Sequence, residues 1–160
     1  MSAYVTLVTP MLCEECLVSA IEDLGIPRAQ LVRAEQPIAL RGWQGGLTAN
    51  IVLPKEVTGD RFNDIGFLRK PTGYVAILSN DYAGFGQDWL SRLSARYQVH
   101  WNAKEQRLAE EERRRVEDER QKVVEAQRQV VLERAKQMGY QVKETREGTK
   151  IRLVLVKRTY

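Results

Sequence analysis

With 160 residues, 43% of them hydrophobic, and a formal net charge of +4, the chain has material for one domain with a modest core. No apolar run approaches the roughly 20 residues of a membrane-spanning helix, so no span is expected. Two cysteines are too few for a disulfide framework, and the opening MSAYVTLVTP lacks the pattern of a secretory signal, so a reducing, cytoplasmic location is expected.

Alternation of Tyr4, Thr6 and Val8 against Val5 and Leu7 predicts a first strand over Ala3–Thr9, stopped by Pro10. Helical spacing follows in Leu12, Cys16, Ile21 and Leu24, with Gly25 and Pro27 as the stop. Two strands come next, near Leu31–Leu40 and Leu47–Leu53, joined by the turn at 41–46. In the second of them Leu47, Ala49, Ile51 and Leu53 should form one face, and Thr48 and Asn50 the other. Pro54–Asn63 reads as a polar excursion. A hairpin of Asp64–Arg69 and Tyr74–Ser79 turns through Lys70-Pro-Thr-Gly73, where proline and glycine suit a tight reversal.

Gln87-Asp88 opens a helix whose Trp89, Leu90, Leu93 and Tyr97 recur at 3–4 spacing and should face the core. This helix is expected to continue, with a kink or short loop near His100, into an arm. Residues 103–138 hold ten Lys/Arg and nine Asp/Glu with no Gly or Pro, enough helix to reach roughly 50 Å. Gly139 is a natural C′ residue, and a closing hairpin of Tyr140–Thr145 and Lys150–Arg158 turns about Glu147-Gly148. Both faces of its last strand are partly apolar, which predicts a strand that is central or covered. The order helix–strand–strand recurs near Leu12–Leu53 and Val130–Lys157. The expected fold is therefore α+β, an antiparallel sheet with helices on one face, ferredoxin-like in character, plus a long charged helical arm. It reads as a single domain over 1–160, with the arm at about 101–129 inserted before a closing helix–hairpin at 130–158.

Within the arm Val116, Val123 and Val130 lie seven apart, preceded by Leu108, and Val124, Val131 and Met138 form a second series. A dimeric coiled coil wants two apolar positions per heptad. With the first series at a, the d positions fall on Glu112, Glu119 and Ala126, so the seam is thin before Val123. Glu110–Arg114, Glu111–Arg115 and Asp118–Lys122 have the i,i+4 spacing of helix ion pairs. The arm is then a solvated helix, a homo-oligomeric coil or a helix that docks a different protein.

Recognisable catalytic motifs are absent. The glycines at 42, 45 and 46 match neither the P-loop nor the dinucleotide fingerprint. Asp64, Asp81 and Asp88 have no spacing that demands paired-carboxylate chemistry, and His100 has no nucleophile partner. Two cysteines and one histidine do not make a zinc site, so neither metal nor cofactor is expected. Cys13-Glu-Glu-Cys16 opens a helix after a strand, where helix amides favour a thiolate, although the two glutamates oppose it. That leaves Cys13 and Cys16 as a redox alternative to simple packing. Gly73-Tyr-Val-Ala-Ile77 lacks the full basic-glycine-aromatic pattern of an RNA-recognition strand. Basicity collects at the C-terminus, where Lys143, Arg146, Lys150, Arg152, Lys157 and Arg158 make a nucleic-acid alternative. Tyr82 and Phe85, on a glycine-rich loop, join Leu108, Val116 and Val123 as candidates for protein contact.

Several segments together carry a resemblance: LVSAIEDLG (17–25), ALRGWQG (39–45), TANIVL (48–53), NDIGFLRKPTGYVAIL (63–78), WLSRLSARYQVH (89–100) and VVLERAKQMGYQVKETREGTKIRLVLVKR (130–158). The chain resembles the family of hypothetical chloroplast reading frame thirty-five, found in cyanobacteria, some algal plastids and assorted bacteria and phages. Asp64-Ile-Gly-Phe67 and the closing helix–hairpin are its most specific pieces. Family members run from the Arg96-Tyr97 region almost directly into the final helix, so roughly Ala103–Gln127 is extra helix here. The family pattern does not require Cys13 or Cys16, and it brings no established activity or catalytic residue. Its genes often neighbour those for AAA-type ATPases. The resemblance therefore implies an accessory or adaptor role. With no catalytic constellation and an added arm, the expected protein is non-enzymatic and docks a larger assembly, an AAA-type ATPase system, through its sheet body and helical arm together.

Overall fold

A computed structural model describes residues 3–80 and 83–157, which divide into two compact units, Met1–Gln106 and Arg107–Tyr160. The class is α+β, with a five-stranded antiparallel sheet and a long helical arm. Elements follow in the order β1 (Tyr4–Val8), α1 (Glu14–Asp23), β2 (Val32–Ala39), β3 (Thr48–Leu53), α2 (Lys55–Thr58), β4 (Ile65–Lys70), β5 (Gly73–Ser79), α3 (Gln87–Gln137), β6 (Tyr140–Glu147) and β7 (Lys150–Lys157). Single 3-10 turns occupy Arg28–Gln30 and Ala83–Phe85. The polar excursion after Pro54 contains the one-turn helix α2.

In the first unit the strand order is β1-β5-β4-β3-β2, so β2 to β5 form a meander and β1 adds to its β5 edge. That order, with β6 and β7 in a two-stranded sheet of their own, replaces the ferredoxin-like arrangement suggested by the repeated helix–strand–strand order. Alternate residues of β4 and β5 divide between two clusters, as a pleated strand requires. Ile65, Phe67, Tyr74, Ala76 and Leu78 belong to the main core, whereas Ile77 and Leu68 join Leu40, Ala49 and Val52 in a smaller one.

The single-face reading of β3 needs correction. Ile51 and Leu53 enter the main core while Ala49 enters the smaller cluster. The register against β2 shifts between Arg33 and Ile38. Asn50 fills the gap: its amide nitrogen donates to the Ala34 and Glu35 carbonyls at 3.2 and 2.9 Å, and its oxygen accepts from the Arg69 amide at 2.9 Å. Pro37 falls in this irregular stretch of an edge strand, where a missing N–H costs no ladder bond.

The main core lies between the sheet and two helices. From α1 come Cys16, Leu17, Val18, Ala20 and Ile21, and from α3 come Trp89, Leu93 and Tyr97. Burying each large apolar side chain contributes roughly 1.5–3 kcal/mol, so this layer dominates the stability of the unit. No loop breaks α3 at His100; the helix continues through it, and His100 Nε2 lies 2.8 Å from Asp23 Oδ2 on α1. Gly73, with φ +134°, starts β5 where a Cβ would meet the Thr9 carbonyl at 2.3 Å, so only glycine fits that approach.

The second unit is built from the later turns of α3 and the β6–β7 hairpin. Gly139, with φ +74°, ends the helix as the C′ residue, and the hairpin pairs in full register from Tyr140↔Lys157 to Glu147↔Lys150. Strand β7 pairs with β6 alone, so it is not central; Ile151 and Leu153 are half-buried beside α3, whereas Val154, Leu155 and Val156 are exposed. Its apolar residues are too evenly spread over both faces to reveal which face would be hidden.

Candidate functional site

Cys13 sits where three segments meet. Pro10 ends the run from β1, and the chain then enters α1 with Cys13 as its N-cap, in extended backbone geometry. Tyr97 of α3 fixes that approach: its hydroxyl oxygen accepts from the Leu12 and Cys13 amides, each at 3.0 Å. The Cys16 amide donates to Cys13 Sγ at 3.4 Å, one of the orphan donors of a helix start. About two turns further along α3, Lys104 Nζ donates to the same sulfur at 3.3 Å. Both cysteines are thiols and both are buried, at 9% and 5% exposure.

Burial opposes ionisation of Cys13, but bonds from the Cys16 side chain and amide and from the Lys104 ammonium outweigh it and hold its pKa below the ordinary thiol value. The same bond to Cys13 raises Lys104. The glutamates between the cysteines do not cancel this effect. Glu14 bonds Arg69 and lies 3.8 Å from Arg33, while Glu15 bonds Arg33 at 2.9 Å and Arg28 at 3.0 Å. Arginines of β2, β4 and the 3-10 turn thus match both acidic charges and leave Lys104 as the cation on the sulfur.

The arm presents a second candidate. Leu108, Val116, Val123 and Val130 are between 51% and 56% exposed. At about 100° per residue they fall within roughly 80° of one another, a single stripe. Glu112, Glu119 and Ala126 alternate with the valines along it. Val124 and Arg128 are half-buried and share a crevice with Ile151 and Leu153 of β7. Arg128 also bonds Glu144 at 2.6 and 3.0 Å and Glu125 at 2.7 Å. The three i,i+4 ion pairs suggested by spacing are not formed; among the described residues the arm's own pairs are the i,i+3 contacts Glu112–Arg115 and Glu125–Arg128.

The hairpin divides the basic cluster. Alternation and register put Lys143, Lys150 and Arg152 on one face and Arg146 and Lys157 on the other, with Arg146 bonded to Glu144 at 3.3 Å. Arg158, Tyr82 and Asp81 lie outside the described residues. Phe85 is half-buried against Trp89, with ring centroids 5.0 Å apart. Asp64 is buried and accepts from the Arg41 and Lys55 amides and the Arg41 guanidinium. No cluster of three or more His, Cys, Asp or Glu with metal-binding placement occurs among the described residues. Nor is any helix among them long and apolar enough to cross a membrane.

Comparisons with known protein families, curated proteins and solved structures find nothing that matches this chain. The site residues missed from sequence are Tyr97, as the clamp on the Cys13 turn, and Lys104. A signal for the second was present: Tyr97, Trp101 and Lys104 extend the 4–3 spacing of the buried face of α3, with the Tyr97 and Trp101 rings stacked at 6.2 Å and Lys104 Nζ 5.8 Å from the Trp101 centroid.

Proposed function

We propose that the protein is a non-enzymatic accessory protein of the cytoplasm that docks a larger protein assembly through the exposed stripe of α3. The observation that carries this reading is the row Leu108, Val116, Val123 and Val130, left in solvent on a helix held by intrachain contacts elsewhere. A second copy of the chain fits the row poorly, because pairing two such stripes brings Glu112 and Glu119 of both copies into one seam. A different helix, with aliphatic side chains facing the valines and Lys or Arg facing Glu112 and Glu119, fits it better. The stripe is narrow, and at about 25 cal/mol per Å2 it does not sustain tight binding unaided. The sheet unit offers a further apolar contact in Trp43, 72% exposed on the β2–β3 turn.

The resemblance to the reading-frame-thirty-five family makes an AAA-type ATPase the partner to test first. The measurement is affinity purification of the full-length tagged chain beside a Val116→Lys, Val123→Lys double variant. Co-purification of an ATPase in stoichiometric amount, reduced at least tenfold in the variant, is the expected result. Equal retention by the variant would remove the arm from the interface. A second reading has its own observation, the shared face of Lys143, Lys150 and Arg152. Recovery of nucleic acid in place of protein, with retention falling steeply as salt rises, would move the assignment to that face.

A further inference from the structure

The adaptor reading leaves the cysteine pair without a role, and its geometry is more than packing requires. A packed structural cysteine needs no cation, yet Lys104 Nζ lies 3.3 Å from Cys13 Sγ. Cys16 stands one helical turn on, its amide on the same sulfur at 3.4 Å and its side chain within bonding reach of it. Cys13 is the non-helical N-cap and Cys16 lies three residues on, so a small movement at the cap brings the two sulfurs within disulfide range. Tyr97 holds the turn that presents Cys13. Neutralisation of Glu14 and Glu15 by three arginines removes the local charge that would disfavour a thiolate.

We propose that Cys13 and Cys16 are a thiol–disulfide exchange pair acting on a slender low-molecular-weight disulfide, with Cys13 attacking, Cys16 resolving and Lys104 holding the attacking sulfur ready. The proposal is independent of docking through α3, and it replaces the non-enzymatic part of that reading with a chemical activity. At 9% exposure Cys13 admits a narrow substrate better than a folded protein surface. A cavity of about 190 Å3 is lined by Leu12, the residue before Cys13, with Tyr97 and Trp101, and it is large enough for part of a small substrate.

The reaction balances as follows. The Cys13 thiolate attacks one sulfur of the disulfide, forming a mixed disulfide and expelling the other half as a thiolate, which takes a proton from water. Cys16 gives up its proton, attacks Cys13 Sγ and expels the second half as a thiolate, which is protonated in turn. Two protein thiols and one substrate disulfide become one protein disulfide and two substrate thiols, with two electrons passing from protein to substrate. Lys104 and Tyr97 of α3 are the titratable groups that bond the Cys13 sulfur and its turn, while Glu14, next to Cys13 in the chain, is bonded to Arg69 and Tyr74 of the sheet. In the pH range between the lowered Cys13 value and the ordinary thiol value of about 8.5, the attacking thiolate is held by the Cys16 side chain and amide first, and by the Lys104 ammonium beside them.

The test is a time course of intact mass for the full chain with oxidised glutathione. Wild type should lose two hydrogens without keeping an adduct, and dithiothreitol should restore it. Cys16→Ser should stop with one glutathione on Cys13. At pH 7 Lys104→Met should react about tenfold more slowly, since a charge-assisted bond to the thiolate is lost, and its rate profile should move to higher pH. Lys104→Arg should recover most of the rate, which separates loss of the charge from loss of the fold. Absence of any adduct on Cys16→Ser, or equal rates and profiles for wild type and Lys104→Met, would overturn the proposal.

Discussion

At Asp64 one buried carboxylate joins three segments. It accepts from the Lys55 amide at 2.8 Å, the Arg41 amide at 2.9 Å and two guanidinium nitrogens of Arg41 at 3.1 Å, while Arg41 also bonds Glu56 at 2.6 and 2.9 Å. The Asp64 amide in turn donates to the Arg41 carbonyl at 2.8 Å, which closes the turn after β2 onto the start of β4. Cutting the side chain back to a methyl group strands two backbone donors and takes from Arg41 one of its two carboxylate partners. Asp64→Ala should cost about 3 kcal/mol in urea unfolding, and Glu56→Ala, whose pair with Arg41 is exposed, clearly less. Comparable losses for the two variants would show that Asp64 does not carry the junction. Sequence marked Asp64 only as one of several acids; the partners that give it a structural role lie 23 and 9 residues away, beyond the reach of local pattern.

Among the elements, those with a simple period were legible. Alternation placed β1, and the Pro-Thr-Gly reversal placed β4 and β5, to within a residue or two, while the 3–4 spacing of Trp89, Leu93 and Tyr97 identified the buried side of α3. The β2–β3 pairing was harder because Asn50 replaces ladder bonds with side-chain bonds, and no local pattern announces that substitution. Ion pairing on the arm was misjudged for a related reason. Long exposed side chains have several partners of similar energy, and Arg128 reaches to Glu144 on β6 as well as to Glu125. That contact yields a pH prediction. The Arg128 guanidinium holds the Glu144 carboxyl below its usual range, so the pair's contribution is complete above the unfolded value of about 4.3 and falls as pH drops through the lower folded value. Hydrogen-exchange protection of β6 should therefore decline in acid below about pH 4, and Arg128→Met should lower it already at pH 7 and flatten that acid response. An identical acid response in the variant would assign the pH dependence to other carboxylates.

For the molecule as a whole, the division of the core decides what can stand alone. Every buried hydrophobic residue among those described except Ala135 lies at or before Tyr97, inside the Met1–Gln106 unit. Sequence patterning did not reveal this asymmetry, because Ile151, Leu153 and Val142 look as core-like on paper as Ile51 and Leu53. The difference lies in layers: Ile51 and Leu53 have a sheet and two helices around them, whereas the hairpin has one helix and a single partner strand. A two-stranded hairpin needs an apolar partner surface to persist, and a unit of that size buries too little to offset its chain entropy comfortably. A chain ending at Gln106 keeps the main core, the Tyr97 clamp and Lys104. It should unfold in one cooperative transition by circular dichroism, within a few degrees of the full chain's main transition. A peptide of residues 107–160 should instead lose helicity gradually on heating, without a sigmoidal midpoint. A sharp transition in that peptide would mean that the arm and hairpin form a self-sufficient domain, and the exposed valines would then have to be weighed as a seam between copies of it.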